Sequence, residues 1–167
     1  MNRRGILSLS AITALGLALL PGNALSQQKT LKDQLVGTWT VISLGRTAPD
    51  GTKRQIPNAK GILILDAGGR YAQVAVRGDR PKFKSPSQPT TEELAAATQD
   101  FFAANFGTWS VDEADKTLTQ RFDGALRPNN EGTDTKNSVS LVGDELKLTG
   151  VVPGTGARIE DVYRRAK

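Results

Sequence analysis

From Leu35 to Arg164 the chain breaks into short β-like runs separated by turn residues, and this punctuation restricts it to folds built from many small strands. Leu35 to Leu44, rich in Val, Ile, Thr and Trp, is the first run. Pro49-Asp50-Gly51 ends it, because proline presets φ and glycine accepts a positive φ. Gly61 to Leu65 is continuously apolar, stops at Asp66-Ala67-Gly68-Gly69, and is expected to pair with Tyr71 to Arg77 as a hairpin. Lys116 to Phe122, Ser138 to Val142, Glu145 to Leu148 and Arg158 to Arg164 follow, with turns at Gly143-Asp144 and Pro153-Gly154. Alternation is plain in several runs: Leu118 and Phe122 against Thr117, Thr119 and Arg121, and Val139 and Leu141 against Ser138 and Ser140. One wet face and one buried face is the habit of antiparallel sheets.

One segment breaks the pattern. Thr90 or Thr91 caps a helix, with Glu93 completing a capping box to Thr90. The Ala-rich run Leu94 to Asn105 carries Leu94, Ala97 and Phe101 at helical spacing, so a helix is expected from Glu92 to Asn105. Eight to ten short strands and one helix favour a closed barrel over an open sheet, because closure removes exposed edges. The expected fold is therefore mainly β: a closed antiparallel barrel of 8–10 strands with one inserted helix. Asp79 to Pro89, with three prolines, reads as a long loop before that helix.

Residues 1–26 read as a cleaved secretory signal. Arg3 and Arg4 give a positive start, Ile6 to Leu20 is apolar, Pro21-Gly22 breaks it, and Ala24 and Ser26 stand at −3 and −1 of a cleavage before Gln27. Residues 27–167 then form a single domain, soluble and periplasmic or secreted. Lysine plus arginine number 22 against 17 acids; without Arg3 and Arg4 the excess is 20 over 17, or +3, spread along the chain. Such a balance makes no case for nucleic acid. With no cysteine and no histidine, the chain has no disulfide, thiol or imidazole chemistry and no His/Cys zinc site. Asp112, Glu113 and Asp115 sit in one short stretch that reads as a turn, so no metal site and no cofactor are expected.

Two triplets, Gly37-Thr38-Trp39 and Gly107-Thr108-Trp109, stand 70 residues apart. A Gly-x-Trp on the opening strand resembles the lipocalin/avidin superfamily of ligand-binding barrels. There the tryptophan closes one barrel end beneath an arginine near the C-terminus, which here implies Trp39 with Arg164 or Arg165. The wider order of segments is similar to the bacterial lipocalin-like domain family over essentially the whole exported chain: Leu35 to Trp39, Asp50-Gly51, Gly61 to Ile64, Arg77 to Phe83, Phe106 to Asp112, Leu126 to Asn129 and Gly132 to Asp134. Where members of that family often carry a histidine and an aromatic, this chain has Gln120 and Asn130. The resemblance implies a barrel and a pocket rather than a reaction.

The polar row Tyr71, Gln73 and Arg77 has two readings. Either the Val side of that strand faces the core, or the polar row lines a cavity and the valines lie outside under the helix. Arg77, Arg80, Lys82 and Lys84 around Asp79 suit an anionic head group at the mouth, or simply form a solvated loop. Trp109, beside the helix, is placed at the open mouth. The expected ligand-binding residues are thus Tyr71, Gln73, Arg77, Arg80, Trp109, Arg121 and Asn129, with Gly37, Trp39, Arg164 and Arg165 closing the barrel. The expected function is a binding module for a small hydrophobic or amphiphilic molecule rather than an enzyme. Two other classes remain open: an isomerase or cyclase on the same barrel, and a protein-binding, inhibitor-like barrel.

Overall fold

The computed structural model describes residues 29–152 and 154–167, so the export signal expected over residues 1–26 lies outside the described residues. The elements run α1 (Leu31–Leu35), β1 (Gly37–Thr47), β2 (Lys53–Gln55), β3 (Lys60–Leu65), β4 (Arg70–Val76), α2 (Thr91–Gln99), β5 (Phe101–Asp112), β6 (Thr117–Ala125), a 3-10 turn (Pro128–Asn130), β7 (Asp134–Val142), β8 (Glu145–Val151) and β9 (Arg158–Arg165). All strand pairs are antiparallel. β1 pairs with β3 on one side and β9 on the other, which closes eight strands into a barrel; the short β2 adds to the far half of β1.

The pleat sends alternate side chains inward. On β1 the inward phase is Trp39 and Val41, and a register shift between Val41 and Ser43 then changes its parity. Leu44 is buried and Arg46 lines the interior as a result. The hairpin β3–β4 turns the Tyr71 and Gln73 row inward, with Tyr71 and Ala75 buried, while Val74, Ile62 and Ile64 are exposed on the outer wall rather than covered by the helix.

The helix is shorter than its sequence pattern suggests. The Thr90–Glu93 capping box is present, but α2 ends at Gln99. Residues 101–106 instead pair with β4, and Asn105 and Phe106 with β6 as well. Ladder bonds to two neighbours outweigh the modest helical preference of Phe-Phe-Ala-Ala-Asn. Truncated in this way, α2 packs on β5 and leaves the outer face of β3 uncovered. At the other terminus, the polar lead contains α1, a single capped turn. The Glu113 carboxylate accepts hydrogen bonds from the amides of Leu31 and Lys32 at 2.8 and 2.9 Å, pinning α1 to the β5–β6 turn.

α1 covers one barrel end. Trp39 is fully buried there and its indole N–H donates to the Leu35 carbonyl at 2.8 Å. Of the two candidate arginines, Arg165 lies over the Trp39 ring, 4.1 Å from its centroid, and also donates to the carbonyls of Val36 and Gln34. Arg164 is exposed opposite Thr40. Gly37 permits this arrangement, since its φ is +138° and a Cβ would stand 2.9 Å from an Arg165 Nη. Gly37→Ala is expected to lower unfolding stability by about 1–3 kcal/mol, read from urea melts, by straining the backbone and displacing Arg165.

Candidate functional site

With one end plugged, the free interior lies toward the opposite end, where α2, the 3-10 turn and the β8–β9 loop meet. Two spaces occupy it. An inner chamber of about 140 Å³ lies within the barrel wall, and a vestibule of about 350 Å³ lies at the mouth. Arg46, Phe102, Ala103, Asn105, Asn130 and Val152 line both, so the two spaces adjoin. Together they fall within the ~300–1,000 Å³ usual for small-molecule sites.

Polar side chains make up much of the chamber wall. Gln73 on β4 and Asn105 on β5 are register partners. Gln73 Nε2 donates across the interior to the Tyr163 hydroxyl at 2.8 Å. Gln120 on β6 and Asn137 on β7 are each only 3% exposed. Asn137 has room because its cross-strand partner is Gly150, where a Cβ would stand 2.1 Å from Asn137 Oδ1. Among the described residues, Asn105 Oδ1, Gln120 Nε2 and Asn137 Oδ1 have no hydrogen-bond partner. Buried amide atoms of this kind are costly unless something satisfies them. Phe102, Phe122, Leu148 and Ile159 are among the apolar residues of the wall.

Arg46 and Asp161 add an ion pair at the chamber edge, with an Arg46 Nη donating to Asp161 Oδ1. Burial pushes the Asp161 carboxyl above its ordinary 3.8 despite the opposing pull of Arg46. Tyr163, fully buried, is likewise pushed up by burial and then by the Asp161 charge. A carboxyl raised in the folded state holds its proton there after the unfolded chain has released it, so it takes stability away as pH rises through the window above 3.8. Asp161→Asn removes this term. The stability of the variant relative to the parent is therefore expected to rise in denaturant melts as pH climbs through the window above 3.8, and a flat difference would contradict the assignment.

The residues singled out from sequence are spread over the barrel. Gln73 lines the chamber. Tyr71 is buried two residues nearer the plugged end, with its hydroxyl unpartnered among the described residues and its ionisation pushed up by burial and by Asp123. Trp109 is also at the plugged end, not the mouth; its indole donates to the Asp66 carbonyl in the β3–β4 turn at 2.9 Å. Arg77 pairs with Asp100 at 3.1 Å, and the Arg80 guanidinium lies 4.9 Å from the Phe101 ring centroid, so both cations are engaged at the outer mouth. Arg121 faces solvent and pairs with Asp134, because it sits in the outward phase of β6. Asn129 is exposed in the 3-10 turn while its neighbour Asn130 lines both spaces. The acidic stretch is a turn, with Asp112 Oδ1 accepting from the amides of Ala114 and Asp115 at 2.9 Å each.

A family model for the lipocalin-like domain matches residues 36–165, which spans every strand of the barrel. The chain belongs to the lipocalin-like domain family. Comparison with solved structures finds this lipocalin-like chain similar to two mutant forms of the fluorescent protein UnaG. They have TM-scores of 0.36 and 0.34 and identities of 15% and 14%, with 80% of this chain and 97% or 96% of theirs covered. A comparison with curated proteins found no match.

Proposed function

We propose that this lipocalin-like protein is an exported binding module that holds one small amphiphilic molecule inside its barrel. The observation that carries this reading is the adjoining pair of vestibule and chamber, the latter walled by buried polar side chains. Affinity would come from burying the ligand's apolar part at the mouth, at roughly 25 cal/mol per Å², with the chamber amides fixing its orientation. Export is read from residues 1–26, and no helix among the described residues is long and apolar enough to cross a membrane.

Native mass spectrometry of protein purified gently from the cells that make it tests the proposal. A one-to-one adduct, released on denaturation, is the expected result, and the polypeptide mass should begin at Gln27. A bare polypeptide that takes up nothing from a small-molecule extract of the same cells contradicts it.

The buried Asp161 carboxyl favours a second reading, acid–base catalysis on a molecule in the same chamber. Chemical conversion of the released adduct by fresh protein, lost in Asp161→Asn, would select that reading over simple binding.

A further inference from the structure

Resting on this cavity reading, we infer that the chamber takes a neutral head group that both donates and accepts hydrogen bonds, of carboxamide or urea type, with the ligand's apolar tail trailing into the vestibule. The first ground is the set of unpaired atoms. Asn105, Gln120 and Asn137 project from three successive strands, and each leaves one end of its carboxamide without a partner among the described residues. As placed, the unpartnered atoms are two carbonyl oxygens, on Asn105 and Asn137, and one N–H donor, on Gln120, and the three side chains carry no net charge. A head group with both N–H and C=O satisfies them; one with acceptors alone leaves carbonyl oxygens facing oxygens.

The second ground is the absence of a free charge. Arg46 and Asp161 are the charged residues that line the chamber, and they are bound to each other. A carboxylate or phosphate entering here would have to separate that pair and lie beside Asp161, both of which cost free energy in a dehydrated site. The cations that suit an anion on sequence grounds, Arg77 and Arg80, are engaged outside by Asp100 and Phe101. The third ground is the vestibule lining: Phe101, Ala104 and Leu126, found there and not in the chamber, give an amphiphile's tail apolar contact beside the polar Gln99, Arg127 and Thr155.

Octanamide and octanoate, which share a chain and differ in the head, test this directly. Each is titrated into the ¹⁵N-labelled protein while the side-chain NH₂ resonances of Asn105, Gln120 and Asn137 are followed. Octanamide is expected to move these resonances and to bind at least tenfold more tightly than octanoate. In Gln120→Leu/Asn137→Leu that preference should disappear. The single Gln120→Met, close in volume to the parent, should reduce the preference in the same direction and covers the case in which the double variant does not fold. Octanoate binding as tightly as octanamide, with the same resonances moving, overturns the head-group assignment and leaves the cavity reading intact. Failure of both probes to move any chamber resonance overturns the two together.

Discussion

Trp39→Ala is expected to lose about 3–5 kcal/mol of unfolding stability, the largest loss of any single substitution considered for this barrel. The indole is fully buried, so its removal leaves a void at the plugged end. The Leu35 carbonyl loses its donor, and Arg165 loses the ring it stacks on. Since whole domains are stable by only ~5–15 kcal/mol, such a variant should unfold at far lower urea than the parent. A loss below about 1 kcal/mol would mean that α1 and Arg165 close the end without it. Because the chamber lies toward the opposite end, any folded fraction of Trp39→Ala should still bind ligand.

Ala103→Trp is expected to have the complementary effect, a loss of binding by about a hundredfold or more with little loss of stability. Ala103 lines both chamber and vestibule, and it is only partly buried where it packs against the core. An indole at this position fills the space that the two share, so the usual overpacking cost of ~1–3 kcal/mol should be at the low end. The binding assay is titration with octanamide or retention of the endogenous adduct; stability is read by thermal melt. Unchanged binding in a folded Ala103→Trp protein would place the ligand somewhere other than the chamber.

The barrel itself was legible in the sequence because its signals are local. Turn residues at Asp66–Gly69 and Gly143-Asp144, and alternation in β6 to β8, report directly on backbone geometry. The first half of β5 was not legible, since Phe101–Asn105 carries helical spacing and becomes a strand through partners distant in sequence, on β4 and β6. Several chamber residues were in fact marked by phase. Gln120 shares the phase of Leu118 and Phe122, Asn137 that of Val139 and Leu141, and Asp161 that of Ile159 and Tyr163. A polar side chain inside an apolar phase is a readable sign of a polar interior, and Gln120 and Asn130 also stand where the family resemblance implied other residues. Arg46 carried no such sign, because the register shift after Val41 reverses the parity of β1 and alternation cannot foresee it. Arg77 and Arg80 drew notice as a cationic loop, yet their nearby partners, Asp100 and Phe101, are set by tertiary structure.

The most direct test of the central claim is a high-resolution crystal structure of the protein purified without denaturation, read at the chamber. The account predicts a bound small molecule with its polar head hydrogen-bonded to Gln120 and Asn137 and its tail against Phe102. A chamber closed by inward collapse, with the carboxamides of Asn105, Gln120 and Asn137 bonded to one another, would contradict it.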